Sequence, residues 1–404
     1  MNAQHTGMLK NYVKIALRQL RKQKMYSAIK IGGFSLSIAA CLLIALYIKD
    51  ELSYDHSYPD ADRIYRIIEE YNDNGKIEKG ADMPPPMAGV LKKDFPEVEM
   101  AGRLMPNPLF WGAGNNYIRP AGQQENVYEQ GFTYADQQVL DILQIPMVYG
   151  DRAHALADPF SIVISKKKAD KYFPHQNPVG KLLLLNNNKS RIYKIGGVMQ
   201  DFPSTSHLQW DFLLTLKDIE FWPGEQPSWR SSNYTNYVLL RPGTNIAALE
   251  KKMTAHVLKN YVVPSMVGAG DKDVEKAIKS SSLHLQVVGD IHLKSYDVHE
   301  GLIHGDIRFV WLFGGVACFI LIIACINFIN LSTAKSANRA KEVGLRKVVG
   351  SYRIGLIKQF LTESLLFSFL SFVVAMVLAW SLLPYFNILS AKSLTIPWSS
   401  WWMM

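Results

Sequence analysis

The chain has 404 residues, of which 48% are hydrophobic and 20% are charged, and its formal net charge is +9. The charge is concentrated, because residues 1–30 carry seven Lys/Arg and no acid, residues 335–358 carry seven and one acid, and the remainder sums to −4. Both basic segments flank apolar runs, so membrane topology explains the charge better than nucleic-acid binding does. Cys41, Cys318 and Cys325 all lie in apolar segments, which argues against a disulfide framework or a zinc site.

Residues 1–26 predict an amphipathic helix on the cytoplasmic membrane surface, because apolar residues recur at helical spacing and Lys/Arg occupy the other faces. The following run, Ile31–Ile48, has eighteen residues without a charge, and we assign the first membrane span to residues 27–48. Within it, Ile38–Cys41 resembles a lipoprotein cleavage box. Seven more apolar residues follow the cysteine, however, which favours an uncleaved anchor.

Two further apolar segments, Phe309–Ala334 and Ser364–Leu383, each reach the ~20 residues that cross a bilayer. Short cationic loops are retained in the cytoplasm, so the segment between these spans is predicted to be cytoplasmic, as is the N-terminus. The tryptophan-rich end of the chain predicts an interfacial tail. The predicted order after the first span is an extracytoplasmic domain at 49–307, span two at 308–334, a cytoplasmic loop at 335–359, span three at 360–383 and an extracytoplasmic tail at 384–404.

The roughly 260 residues between spans one and two predict a folded domain of the α+β class. Its predicted strands are Ile64–Tyr71, Phe160–Ser165, Lys181–Leu185, Arg191–Val198, Tyr234–Arg241 and Leu283–Leu293. Its predicted helices run from Pro84–Pro86 towards Phe95, over Lys166–Phe173 with Ser165 as the cap, and over Asn245–Tyr261. The expected fold is therefore an α-helical membrane protein with three transmembrane helices plus a large α+β extracytoplasmic domain between the first and second.

The loop at 335–359 has features of a docking helix. Glu342 and Arg346 lie four residues apart with the acid N-terminal, the favourable orientation for an ion pair on a helix. Gly350 can end this helix in a left-handed cap. A stripe of small side chains, which permits close approach to another surface, consists of Ala337, Ala340, Gly344 and Val348. On these residues alone, a docking helix and a basic loop that only sets topology are equally favoured.

Glu363 lies five residues beyond Lys358, at the start of span three. A carboxylate within a membrane span suggests a functional role, because burying such a group in the bilayer is costly. Pairing of Glu363 with Arg339, Lys341 or Lys358 at the membrane interface is the favoured and less specific interpretation.

The approach to span two contains histidines and acids that invite a metal-site interpretation. His292, His299 and His304 are spaced by seven and five residues, which does not align them on one face of a helix or strand. A solvated linker is therefore predicted. Gly180-Lys181 lacks the flanking residues of a P-loop, and neither a zinc-protease helix motif nor a nucleophile elbow occurs in the sequence. No catalytic residue, metal or cofactor is expected.

Three groups of residues resemble one family. The first is Glu342-Val-Gly-Leu-Arg-Lys-Val-Val-Gly350 with Gln359–Glu363, and the second is Cys325–Ala334. The third comprises Tyr172-Phe-Pro174, Asn177–Lys181, Gly197–Ser204 and Ser206–Asp211. In this order, over nearly the whole chain, they resemble MacB/FtsX-type permeases of ABC transporters, with the third group similar to the MacB-like extracytoplasmic core domain.

The resemblance implies a coupling helix that contacts a cytosolic ABC ATPase subunit, in which ATP hydrolysis would reside. The coupling residues would be Ala337, Ala340, Glu342, Val343, Gly344, Leu345, Arg346, Lys347 and Gly350. It further implies a bacterial inner-membrane location with a cytoplasmic N-terminus, and as partners a second permease copy, the lipid bilayer and a periplasmic adaptor, but no nucleic acid. The expected function is export or efflux of peptides, lipoproteins or hydrophobic toxins by transmission of ATPase motion.

Two alternatives stay open at this point. One is a non-transporting regulator that activates an envelope enzyme such as a peptidoglycan hydrolase. The other is an inactive fragment, because the family has a fourth span after the third and this chain is expected to be truncated before it.

Overall fold

The computed structural model describes residues 24–73, 75–271, 280–302, 304–334 and 353–398, together with Arg18 and Val274. The chain divides into two compact units, Met1–Leu52 with Ile307–Met404 and Ser53–Asp306.

The helices are numbered in chain order over the described residues. They are α1 (Lys24–Leu52), α2 (Met87–Asp94), α3 (Gln137–Ile142), α4 (Lys166–Tyr172), α5 (Ile246–Val257), α6 (Val263–Gly268), α7 (Val288–Lys294), α8 (Ile307–Ala334) and α9 (Arg353–Ser390). A 3₁₀ turn spans Arg152–His154, and a π-helical turn, Leu258–Val262, joins α5 to α6.

The strands, also numbered in chain order, form one mixed sheet. They are β1 (Ile64–Asp73), β2 (Lys76–Gly80), β3 (Asp82–Met83), β4 (Val98–Met105), β5 (Gly114–Pro120), β6 (Val127–Ala135), β7 (Met147–Tyr149), β8 (Ser161–Ser165), β9 (Leu182–Leu185), β10 (Ile192–Met199), β11 (Phe212–Thr215), β12 (Tyr234–Leu240), β13 (Ser281–Val287) and β14 (Val298–His299).

The first unit contains α1, α8 and α9, each of which includes a stretch long and apolar enough to cross a bilayer. Helix α1 packs against both α8 and α9. Ala39, Leu43 and Leu46 of α1, spaced three or four residues apart, face Ala375 and Ala379 of α9 in one buried cluster. Alanines at this contact let the two helix backbones approach closely. The prediction of three such helices, with a large α+β domain between the first and second, is confirmed.

The end of α9 remains helical beyond the predicted limit of span three. The helix continues through Pro384 to Ser390, about two turns further. Leu394 and Ile396 then return to the cluster shared by α1 and α9, where both are buried. Between them and the helix, Lys392 forms ion pairs with Asp50 and Glu51 of α1 at 3.1 and 2.7 Å.

In the second unit, six strands close into a ring in the order β11-β8-β10-β9-β5-β6, because β6 also pairs with β11. The closing pair is parallel and sets Phe212 opposite Phe132. Their rings stack inside the ring of strands, with centroids 4.0 Å apart and planes inclined by 6°. Tyr134 and Tyr193 are fully buried in the same core. Closure of the sheet leaves the six strands without a free edge along their paired length.

The sheet continues from β6 through β4-β12-β1-β2-β14, with β13 paired to β1. Helices α2 and α5 cover one face of this part and bury a second core with β12 and β13. Asn245 caps the beginning of helix α5, because its side chain accepts a hydrogen bond from the Ala248 N–H at 3.1 Å. Leu249, Met253 and Val257 are buried at four-residue spacing, which confirms the predicted helix and its apolar face.

Two local predictions are wrong. The segment Leu283–Leu293 is not one strand, because β13 ends at Val287 and α7 follows. Val288 and Ile291 are fully buried at helical spacing, so a helical turn buries both where a strand would expose one. Ser165 does not cap α4 with its side chain; its hydroxyl donates to Asp211 Oδ1 at 2.9 Å.

Candidate force-transmission site

The predicted coupling residues, Ala337–Gly350, lie outside the described residues, so their roles stay predictions. The structure does describe the two helices that flank this segment, since α8 ends at Ala334 and α9 begins at Arg353. The chain therefore enters and leaves this segment through the end of α8 and the beginning of α9.

Glu363 lies on α9 and is half-buried. It makes a polar or electrostatic contact, and two of its three predicted partners, Arg339 and Lys341, lie outside the described residues. Phe367 lies four residues further along the same helix face and is 3% exposed. Glu363 is thus placed on the side of α9 that turns towards the other helices of this unit.

Lys30 of α1 joins all three helices of the membrane unit. It is buried, and its Nζ lies 4.0 Å from the ring centroid of Phe328 on α8 and 4.4 Å from that of Phe367 on α9. A desolvated ammonium over an aromatic face gains about 2 kcal/mol. One turn earlier on α1, the hydroxyl of Tyr26 donates to the backbone carbonyl of Leu331. Helix α1 is therefore tied to α8 near its end and to α9 about four turns after its beginning.

The segment that follows α1 is held in the α+β domain by Asp55. The carboxylate of Asp55 is fully buried and accepts hydrogen bonds from Ser206 Oγ at 3.1 Å and from the His207 N–H at 3.0 Å. Its own backbone N–H donates to the carbonyl of Thr205 at 2.8 Å. The backbone φ of Asp55 is +59°, a conformation that Asp and Asn tolerate better than most residues. We call this arrangement the first clamp.

The first clamp extends inwards through His207 to Tyr237 on β12. His207 Nδ1 faces Asp55 Oδ1 at 2.9 Å, and Nε2 lies 2.6 Å from the Tyr237 hydroxyl. Burial raises the pKa of Tyr237 above its ordinary range, so the phenol keeps its proton and can donate it to Nε2. The Asp–His–Tyr order resembles a catalytic relay. All three side chains are excluded from solvent, and the series connects the segment after α1 to strand β12.

The segment that precedes α8 is held in the same domain by Arg66 of β1, which is fully buried. Its guanidinium donates to Glu300 Oε2 at 2.5 Å, to Gln286 Oε1 at 2.7 Å and to Ser295 Oγ at 3.0 Å. The other oxygen of Glu300 lies 2.9 Å from His304 Nε2. Burial acts to raise the pKa of Glu300, but His304 and Arg66 outweigh it and hold that pKa below its usual range. We call this arrangement the second clamp.

The predicted solvated linker is wrong for two of its three histidines. His292 is buried on α7, and its ring stacks on Tyr54 with centroids 3.4 Å apart. The side chain of His304 is 9% exposed, whereas His299 is exposed on β14. Within the described part of the chain, no three His, Cys, Asp or Glu side chains are grouped so as to hold a metal ion. The spacing of the histidines does not indicate that this linker contacts the buried Arg66. Hydrogen bonds from Arg66 to Ser295 and Glu300 hold the linker against the domain.

Sequence reasoning also did not single out Lys30, Asp55 or Arg66, whose contacts only the structure shows. In the sequence, Lys30 resembles the other membrane-flanking charges, although it is the one basic residue within predicted span one. Ser206 and His207 belong to a segment that resembles the family, and this resemblance was the only indication in the sequence that the first clamp matters. Nothing in the sequence connected that segment with Asp55, about 150 residues earlier in the chain.

Comparison with known proteins gives the class of this chain. Residues 27–256 match the model of the MacB-like periplasmic core domain, and residues 314–404 match that of the FtsX-like permease C-terminal region. The two matches occur in the order that the sequence resemblance implied. The chain belongs to the MacB/FtsX-type permeases of ABC transporters.

Two relatives named macrolide export ATP-binding/permease protein MacB are each 23% identical to this chain. The protein from Marinobacter nauticus aligns over 217 residues, 54% of this chain and 29% of the relative. That from Aggregatibacter actinomycetemcomitans aligns over 257 residues, 63% of this chain and 35% of the relative. The chain therefore spans about a third of the length of these relatives.

Two solved structures are similar to part of this chain. A domain of a permease protein from Porphyromonas gingivalis is 23% identical, with a TM-score of 0.45, covering 57% of this chain and 93% of that one. The periplasmic region of MacB from Actinobacillus actinomycetemcomitans is 14% identical, with a TM-score of 0.35, covering 57% and 91%.

Proposed function

We propose that this chain is the permease subunit of an ABC transporter that transmits the motion of a cytosolic ATPase to an extracytoplasmic domain. The observation that supports this most directly is the continuity of α1. Lys30 ties α1 to both helices that flank the coupling segment, and three residues after its end the chain enters the first clamp. A displacement of α8 and α9 would therefore reach the α+β domain along one continuous helix.

The coupling loop at 335–359 would contain a short helix over Ala337–Gly350, seated in a groove of the ATPase. The contact would be made by Ala337, Ala340, Glu342, Val343, Gly344, Leu345, Arg346, Lys347 and Gly350. Closure of the ATPase can drive the permease only if the contact differs in free energy between the two ATPase states. ATP hydrolysis belongs to that separate subunit in this proposal.

The proposed location is the bacterial inner membrane, with the N-terminus and the coupling segment cytoplasmic and the α+β domain outside. The basic residues that surround the spans support this orientation. The permease would work as a dimer and could hand cargo to a periplasmic adaptor. Peptides, lipoproteins or hydrophobic toxins are the proposed cargo, handled outside the bilayer.

The test of the coupling proposal is Gly344→Trp, with Gly344→Ala as the matched control. Tryptophan would obstruct close approach of the helix without a change in charge or topology, whereas alanine keeps the small-residue stripe. We expect Gly344→Trp to abolish purification of the ATPase with the permease and to leave membrane insertion intact. Arg346→Glu should weaken association less, because an exposed ion pair contributes only ~0–1 kcal/mol.

The measurements are co-purification of the two subunits and ATP hydrolysis by the purified complex. If Gly344→Trp binds and stimulates the ATPase as Gly344→Ala does, the segment only sets topology and the docking proposal fails. If neither variant nor the unaltered chain associates with an ATPase, the permease function itself is wrong.

A further inference from the structure

The two segments that connect the α+β domain to the membrane helices are held at adjacent positions of one sheet. The first clamp ends on Tyr237 of β12, and the second is built on Arg66 of β1. Strands β1 and β12 are antiparallel neighbours, and Arg66 and Tyr237 are direct cross-strand partners. Directly opposed residues of neighbouring strands project their side chains from the same face of the sheet. The two clamps therefore meet on one face.

The charges of both clamps act on the same buried group. Burial is the main cause of the raised pKa of Tyr237; Arg66 opposes it, while Glu300 and Asp55 add to it. The carboxylates of both clamps thus act on the phenol that terminates the first clamp. An interior of low dielectric transmits such interactions far better than water does.

Each clamp is costly to break because its charges are buried. Removal of one partner from a buried pair leaves the other without compensation, and this penalty exceeds the net contribution of the intact pair. Asp55 and Arg66 are fully buried, and the side chain of Glu300 is 5% exposed. A linker can therefore detach from its clamp only if a buried charge loses its partner. This penalty keeps each linker attached to the sheet when force acts on it.

We infer that the two clamps form one cooperative joint, in which Asp55 and Glu300 are positioning residues that fix both linkers to the β1–β12 pair. This inference rests on the proposed function and deepens it. Spans one and two would then deliver a single displacement to the domain, because neither linker can shift without the other. Two independent anchors, in contrast, would let each span move its own part of the domain.

The first test is hydrogen exchange on the full chain in lipid nanodiscs, with no ATPase present. Asp55→Asn keeps the side-chain shape and tolerates positive φ, so it removes the charge with little backbone strain. We expect exchange to become about tenfold faster in residues 53–58 and also in 295–302, equivalent to about 1.4 kcal/mol of opening free energy. Glu300→Gln should accelerate exchange in both segments in the same way.

The matched control is Glu129→Gln in the ring of strands. Glu129 is 6% exposed and is paired with Lys168 and Lys171, so it is as buried as Glu300 but belongs to neither clamp. This variant should leave exchange in both linkers unchanged. The cooperative joint is refuted if Asp55→Asn accelerates exchange only in its own linker, or if Glu129→Gln accelerates both linkers equally, which would indicate general destabilisation.

The second test measures transmission in a complex with the ATPase. Spin labels at the exposed Asn187 of two permease copies report ATP-dependent displacement of the domain. Asp55→Asn should retain ATP hydrolysis and lose most of the distance change, and Glu129→Gln should retain both. A full distance change in Asp55→Asn would show that the clamp only stabilises the fold. Failure of the unaltered chain to respond to ATP would count against the proposed function, while the exchange experiment would still decide whether the clamps are coupled.

Discussion

Replacement of Gly196 by alanine should strongly destabilise the ring of strands. Gly196 lies in β10, and a Cβ atom there would overlap the carbonyl oxygen of Ala155 and come within 2.9 Å of its carbon. Both neighbours are backbone atoms, and β10 is paired to β8 and β9, so no flexible side chain can move aside. Overpacking of this kind costs about 3 kcal/mol, the upper end of the usual range. In a domain of this size that lowers Tm by about 6–12 °C.

The matched control is Gly89→Ala. Gly89 lies inside α2, and a Cβ atom there would have no neighbour within 4 Å. Alanine should therefore raise stability by about 0.5–1 kcal/mol, since it loses less backbone entropy than glycine on folding. Thermal unfolding of both variants of the full chain, followed by tryptophan fluorescence, measures the difference. If Gly196→Ala melts within 2 °C or so of the unaltered protein, β10 and the turn at Ala155 are not packed as the structure describes.

Three further predictions concern topology, autonomy of the domain and pH. In a chain without its three native cysteines, an impermeant thiol reagent added to intact cells should label a cysteine at Asn187 but not one at Ser336; labelling at Ser336 would reverse the proposed orientation. A fragment of residues 53–306 should be soluble and unfold cooperatively without lipid, and broad, non-cooperative melting would contradict an autonomous domain. Burial acts to raise the pKa of Glu129, but hydrogen bonds from Lys168, Lys171 and Tyr172 outweigh it and hold that pKa below its usual range. The stabilisation that ionised Glu129 contributes should be complete above about pH 4.3 and lost as pH falls through its lowered pKa. Acid unfolding curves of Glu129→Gln should therefore converge with those of the unaltered protein at low pH. A constant offset between the two curves would show that the ionisation of Glu129 is not the source of the stability difference.

The elements that sequence reasoning identified best are those with a strong local pattern. Helix α5 was predicted from Asn245 and its four-residue apolar spacing, and strand β8 from an uninterrupted apolar run. Strands β4, β5 and β6 were not predicted, because glycines, asparagines and charges interrupt them and their stability comes from partners elsewhere in the sheet. The strand predicted at Leu283–Leu293 failed for the same reason, since burial against the domain decided where β13 ends.

The candidate functional residues show the same difference between local patterns, which the sequence reveals, and long-range contacts, which it does not. Charge patterning around the spans predicts which segments face the cytoplasm, because that property belongs to a contiguous stretch of sequence. The two clamps could not be found in this way. Asp55 meets residues about 150 positions later in the chain, and Arg66 meets Glu300 more than 230 positions later. No periodicity or spacing relates such positions, and only the pairing of strands that are distant in sequence, such as β1 with β12 and β13, brings them together.

The sequence by itself therefore determined the three apolar helices, the α+β domain between the first two and the family, since these follow from hydropathy, charge and contiguous motifs. Only the tertiary structure decided that six strands close into a ring, that Lys30 joins the three membrane helices and that both linkers are anchored on one pair of strands. The physical reason is that a buried charge can be retained only where several distant segments supply its partners, and those segments meet only in the folded chain.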